Sequence, residues 1–431
     1  MATVAERQGA IAAAFEALRS EPGFAGDARR TERETAFARF SERGWPTTRE
    51  EEWRFTNVAP IAQANFAPVP RNVSAAIDQP DHAVAGLLFD DAAAHQVVVI
   101  NGRSTWRSEA APALPAGVSI RKGTAPALPA AAGVIADLNT AFYNDALIID
   151  VASGAVVTDV LHVLHLTLPL QTPTMATPRV VINIGARAQV SIVETYAGLA
   201  PKATFTNAVT QVHVGDGGIL HHVKIEREQA EAFHLASTFV HVERAGTFDS
   251  RSLTFGGRIV RNDIVATLAG EGATTTLDGL YVGTGDTLID THTTIDHAQP
   301  HCPSHEVYKG ILGGRAKAVF NGKIIVRQDA QKTDAKQTNK ALLLTDDAQI
   351  NTKPQLEIFA DDVKCTHGAA IGQLDEDAMF YLRARGVDVE SARNMLIHAF
   401  AGQVLDGIQS PAVRDLAVRL MEGKLNLTHQ A

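Results

Sequence analysis

Cysteine is nearly absent. The chain has two in 431 residues, Cys302 and Cys365. So few in so long a chain exclude a disulfide framework and suit a reducing cytoplasm. Basic charge is short as well: the formal net charge is −9 at pH 7, which argues against a nucleic-acid binder that works through a basic face. No apolar run reaches the ~18 residues expected of a membrane span. Residues 1–20 place Glu6 and Arg7 ahead of their apolar face and lack the continuous apolar stretch of a signal peptide. No nucleotide-binding glycine motif, G-x-S-x-G elbow or H-E-x-x-H pair is complete, so the Gly-Gly and Gly-x-Gly pairs read as turns.

The chain is long enough for a large core and more than one domain. Val4, Ile11, Phe15 and Leu18 predict an amphipathic helix over 4–19, and a second is expected over 31–43 with Gly44 as its stop. In EEWRFTNVAPI (51–61), Trp53 and Phe55 are expected core anchors. Pro60, Pro68 and Pro70 then open a loose connector to about Asp91. QVVVIN (96–101) predicts a buried strand ending in an Asn101-Gly102 turn. The Ala- and Pro-rich segment 110–132 reads as irregular, and 134–145 as a helix carrying Leu138 and Phe142.

From about Asp145 to Gly372 short β-branched runs alternate with small turns. The turns fall at Gly185–Ala188, Gly215–Gly218, Ala245–Thr247, Gly270–Ala273, Gly313–Ala316 and Asp346–Ala348, with Gly283–Gly285 partly filling the largest gap. A spacing of this size means stacked units, and units of strands and turns imply a β-solenoid, with a β-sandwich as the alternative. After Gly372 three helices are expected: one capped by Asp375 and stopped by Gly386, one opened by Asp388 with Met395, Leu396, Ala399 and Phe400 among its apolar positions, and one opened by Ser410-Pro411. The expected parts are an N-terminal helical region with its connector (1–90), a β core (91–374, regular from about 145) and a C-terminal helical region (375–431).

Five histidines and both cysteines lie between Asp290 and Gly372. His297, His301, Cys302 and His305 offer imidazole and thiolate at suggestive spacing. Pro300 and Pro303 keep them off one helix. They stand either as the zinc site of a metal-dependent solenoid enzyme or as polar groups on a solenoid rim. Cys365 and His367 are two apart, so on a strand they project from one face. Two ligands do not close a metal site: either the pair is merely buried, or another chain completes it. The polar run Asp329–Lys340 (DAQKTDAKQTNK) reads as a solvated face or as a stacked amide ladder.

VYKGIL, FNGKIIV, AQKTDAKQTNKALLL, PQLEIFADDVKCTHGAAIG and MFYLRARG, in this order, together with the upstream EEWRFTN, resemble the SufB/SufD family of iron–sulfur cluster assembly proteins. The resemblance spans essentially the whole chain and is most specific from Tyr308 to Gly386. It implies a right-handed parallel β-helix flanked by N- and C-terminal helical domains. The scarcity of cysteine resembles the SufD type, since the SufB type carries further cysteines, one of them sulfur-accepting. It also implies that the chain does not hold a whole cluster alone. By the same resemblance the chain is a non-catalytic scaffold that pairs with a SufB-type paralogue through its last β-helix strands and docks a SufC-type ATPase through its C-terminal helices. Cys365 and His367 match the family's heterodimer-interface residues, which complete a nascent cluster site with ligands of SufB. A reduced flavin is associated with such complexes, but no flavin motif is present here. A homodimer of the isolated chain is a further expectation, because an open β-helix end invites pairing.

Overall fold

The computed structural model describes residues 4–69, 85–87, 95–106, 113–168, 170, 173–199 and 202–426, without side-chain placement for 4–8, 85 and 104–106. Its centre is a parallel β-solenoid of two facing sheets. Successive strands alternate between the sheets, so each strand pairs with the one a full coil later. From Ala146 on, paired positions of successive coils lie from 26 residues apart (Ser237 and Asp263) to 33 (Asp150 and Asn183). This is the stacking that the turn spacing implies, and no β-sandwich forms.

The turns, however, form two columns rather than one. Along one edge Gly154, Arg187, Gly217, Ala245, Gly272, His301 and Lys332 all have positive φ, between 54° and 76°. The N–H of each donates to a carbonyl of the next coil: Arg187 to Asp216, Gly217 to Arg244, His301 to Gln331, Lys332 to Asp362. The turns near Gly285 and Gly314 belong to the opposite edge. The first column passes through Pro300-His301 and Gln331-Lys332, which glycine spacing does not reveal.

Alternation along each strand sends one set of side chains into the solenoid and the other outward. Inside, Val163, Ile182, Leu220, Phe248, Tyr281, Tyr308 and Phe320 belong to one continuous apolar core. Outside, helices cover both sheets. On one, Phe205, Phe233, Leu235 and Ile259 pack against Ile11, Phe40, Trp53, Ile61 and Leu138 of the N-terminal helices. On the other, Val223, Ile225, Leu280 and Ile311 pack against Ile397, Ala401, Val404, Val413 and Met421.

Helices form at Val4–Arg19, Arg30–Arg43, Val134–Phe142, Glu376–Ala384, Val389–Leu405 and Pro411–Leu425, close to the expected spans. Asp375 accepts from the N–H groups of Asp377 and Ala378, and Asp388 from that of Ser391. Asn101 and Gly102 both have positive φ, as the predicted tight turn requires.

Three expectations change. Val118–Gly123 is a strand, antiparallel to Ala146–Val151, inside the segment read as irregular. Trp53 is buried but Phe55 is 45% exposed. Met395 is also exposed; the buried stripe of its helix is Ala392, Ile397, Ala401 and Val404. The side chain of Val4 and most of the connector before Asp91 lie outside the described residues.

The two ends of the solenoid differ. At the early end each sheet finishes on an antiparallel strand, Ser104–Trp106 or Val118–Gly123. At the late end the last strands are Gln349–Ile358 and Lys364–Gly372, each with one edge unpaired in the described chain. No helix among the described residues is long and apolar enough to cross a membrane.

Candidate functional site at the open end of the solenoid

Cys365 and His367 sit on Lys364–Gly372, in register with Ala335 and Gln337 of the preceding coil. Ala335 and Gln337 are buried inside the solenoid. The same two columns continue inward to Ser304 and Glu306, which are also buried. Cys365 and His367 therefore face the way the interior residues face, but at the mouth, where no further coil covers them. Cys365 is half-buried and His367 exposed. Burial pushes the Cys365 thiol up, and the Asp334 carboxylate adds to this. A thiol so placed stays protonated until a cation or partner stabilises its thiolate.

Three of the sequence motifs interlock beneath the mouth. Gln337 Nε2, from the KQTNK run, donates to Glu306 Oε2 at 2.6 Å. Burial raises the Glu306 carboxyl to about 7. Gly322, from FNGK, makes room for that amide: a Cβ there would lie 2.7 Å from Gln337 Cδ and 3.0 Å from Phe320 Cε1. Asn339 Nδ2 donates to Tyr281 Oη at 3.0 Å and to the Tyr308 carbonyl at 3.3 Å. Tyr281 lies over Gly310 and Tyr308 over Gly279, a reciprocal exchange between paired positions of adjacent coils. The run is not a stacked amide ladder: Gln337 and Asn339 point inward, but Gln337 pairs with Glu306 and His367 and Asn339 with Tyr308 and Ala369, while Lys336 and Lys340 are exposed.

His297, His301, Cys302 and His305 do not assemble into a metal centre; among the described residues no three of them bring donor atoms together. His297 is buried, its Nε2 3.0 Å from Ser304 Oγ, and burial lowers it to about 4. Cys302 is buried with its thiol toward the Gly270 carbonyl, and burial pushes it up. His301 fills a left-handed turn position, and His305 faces outward. The alternation of a strand and one stacked turn separate four residues that lie close in sequence.

Two concentrations of charge escape sequence reasoning. EEWRFTN clamps the N-terminal region onto the solenoid. Thr56 donates to Asp290 Oδ2 at 2.6 Å, and Arg261 bridges Asp290 and the Glu52 carbonyl and lies 3.8 Å from the Trp53 ring centroid. His292 lies 3.0 Å from Asp290 and 3.2 Å from Glu52. Burial lowers His292, but these carboxylates outweigh burial and raise it to about 9. Inside the solenoid, Glu194 lies 3.1 Å from His222 and 3.4 Å from His165 and accepts from Tyr196 at 2.9 Å. Burial raises Glu194, yet the two imidazoles hold it well below the usual carboxylate range. Nearby, Lys224 contacts His234 and Asn262, and His234 contacts Glu228. Register is the signal for Arg261 beside Asp290 and for Glu194 near His222 and His165, which lie whole coils apart; the docking of EEWRFTN has no such signal.

The family comparisons agree with this architecture. Residues 168–400 match the SufBD core domain of SUF-system FeS cluster assembly, and residues 27–163 match the SufBD N-terminal region. A SufBD family iron–sulfur cluster assembly protein of Synechocystis is 33% identical over 384 residues, covering 84% of each chain. The iron–sulfur cluster assembly protein SufD of Escherichia coli is 30% identical over 375 residues, covering 86% of this chain and 87% of that one. The chloroplastic protein ABCI7 of Arabidopsis thaliana is 33% identical over 253 residues, 58% of this chain and 53% of that one. The chain belongs to the SufB/SufD family of iron–sulfur cluster assembly proteins. Its similarity to proteins named SufD places it with the SufD-like members.

Proposed function

We propose that this chain is a non-catalytic scaffold subunit for iron–sulfur cluster assembly. Its open end pairs with a SufB-type paralogue, its C-terminal helices (within 375–431) dock a SufC-type ATPase, and Cys365 and His367 contribute to a shared site for the nascent cluster. The cluster is cargo, held with ligands of the partner. The observation that carries this reading is the placement of two soft or borderline ligands side by side at an uncovered solenoid mouth. Two donors need a second chain, and the unpaired edges of Gln349–Ile358 and Lys364–Gly372 offer main-chain hydrogen bonds to one. Ile358, Phe359 and Ile371 are exposed around the same end. Phe380, Tyr381, Val389 and Met395 are exposed on the helices that follow, and Glu376–Ala384 buries no residue at all. Apolar side chains concentrated in one region mark an interaction surface.

The test is co-expression with the two partners, followed by native mass and by iron and sulfide analysis. Cys365→Ala with His367→Ala is expected to leave the three-component complex intact and to abolish cluster loading. Normal loading in that double variant refutes the shared site. For the ATPase contact, Phe380→Asp is preferable to deleting the last helices, because Ile397, Val404 and Met421 cover the solenoid itself. Loss of only the ATPase supports the docking role. A chain that forms only dimers of itself refutes the partner assignment.

A further inference from the structure

The outer face of the sheet under the N-terminal helices carries a column of polar residues, one per coil: Asp150, Asn183, His213, His241 and Thr267 occupy successive paired positions. Asn183 is satisfied by Asp150, to which its amide donates at 2.7 Å. His213 and His241 are arranged differently. Their rings are parallel within 10°, with centroids 5.7 Å apart. Both Nε2 atoms turn to one oxygen, Glu243 Oε1, at 3.5 and 3.1 Å. About half of each imidazole is exposed.

We propose that His213, His241 and Glu243 form an exchangeable binding site for a divalent first-row transition ion of the zinc or ferrous type. One donor atom from each residue lies within 4.8 Å of the other two. Small side-chain rotations suffice to bring such atoms to the ~2.0–2.2 Å that nitrogen and oxygen ligands take around zinc. Two imidazoles and one carboxylate suit borderline ions and not calcium or magnesium, which favour oxygen alone. The scaffold is rigid where it matters, because the histidines stand at paired positions of adjacent strands ~4.8 Å apart. No cation competes from the neighbouring turn: Arg244 is engaged by Asp216 at 3.0 Å. A surface cavity of about 590 Å³, lined by both histidines together with Leu128, Gln211 and Phe239, adjoins the donors. It leaves water free to fill the remaining coordination positions. The site contains no thiol and lies on the opposite sheet from Cys365, so its loss leaves the scaffold reading untouched.

The experiment uses the full-length, tag-free chain carrying Cys365→Ala and His367→Ala, stripped with chelator. Zinc is titrated by calorimetry, and Co²⁺ and anaerobic Fe²⁺ by absorption and by metal analysis after gel filtration. One equivalent is expected to bind. His213→Ala with His241→Ala is expected to weaken binding by more than about a hundredfold, and Glu243→Gln by about tenfold, since even outer groups of metal sites are worth 10–100-fold. The three side chains are exposed enough that circular dichroism should be unchanged. Absence of saturable binding, or binding that survives the double histidine variant, overturns the proposal.

Discussion

Gly322→Ala tests the interlock beneath the mouth. The added methyl group would enter the space of the Gln337 amide, 2.7 Å from Cδ, with Phe320 at 3.0 Å on another side. A free glutamine end would swing aside at little cost. This one is buried and donates to Glu306 at 2.6 Å, so it can move only by giving up that bond. Overpacking a core costs ~1–3 kcal/mol, and stranding a buried polar group a further ~1–3 kcal/mol. The sum is about 2–6 kcal/mol. With an unfolding entropy near 2.1 cal/mol/K per residue, a chain of this size loses about 1 °C of Tm per kcal/mol. The expected fall is therefore ~2–6 °C, with faster hydrogen exchange concentrated in residues 317–372, because solenoids open coil by coil. Gly313→Ala is the control, since its nearest atom beyond the adjoining chain is Leu344 Cβ at 3.9 Å. Gln337→Ala removes the obstacle as well as the bond, so adding Gly322→Ala to it should cost little more. A coupling of at least about 1 kcal/mol is expected in the double-mutant cycle. Strict additivity, or a Gly322→Ala protein indistinguishable from Gly313→Ala, refutes the interlock.

Docking of EEWRFTN should depend on pH from both sides. His292 is raised to about 9 in the folded chain, so its contribution is complete below the ordinary imidazole value of 6.5 and is lost as pH rises through 9. Glu52 and Asp290 are lowered, so theirs is present above the ordinary carboxylate range and lost as pH falls below it. Hydrogen-exchange protection of residues 51–61, taken relative to the intrinsic exchange rate at each pH, should be greatest between these limits, and protection that stays constant from pH 7 to 10 contradicts the assignment. Glu194→Ala leaves His222 Nε2 and the Tyr196 hydroxyl, both buried, without their carboxylate partner and should cost ~1–3 kcal/mol. Glu194→Gln, which keeps the shape, should cost less by chemical denaturation. Gly279→Ala should fall in the overpacking range of ~1–3 kcal/mol by displacing the Tyr308 ring.

The solenoid was legible because its turns carry Gly, Asp and Asn at nearly regular spacing, and the last three helices because Asp375, Asp388 and Ser410-Pro411 mark their starts. The Val118–Gly123 strand was hidden by its Ala- and Pro-rich flanks and by pairing with an edge rather than a core. Phe55 misled because an aromatic beside Trp53 is a core signal only if the local turn points both inward. At the candidate site, i and i+2 spacing placed Cys365 beside His367, but not at a mouth, which requires knowing that no coil follows. The Gly322–Gln337–Glu306 interlock and the His213–His241 pair join residues 15 to 31 positions apart. Such pairs become visible only once register is assigned, after which His213 falls directly beside His241.

The unequal ends have a consequence for assembly size. A rod with two adhesive ends can add copies indefinitely, and stacked β-strands are a common route to fibres. This rod has antiparallel strands across one end and bare edges at the other. Joining the late ends of two such subunits would leave at either extremity strands that run against the parallel stack, a direction that a further parallel coil could not continue. A reversed strand at the early end therefore disfavours indefinite end-to-end stacking of copies.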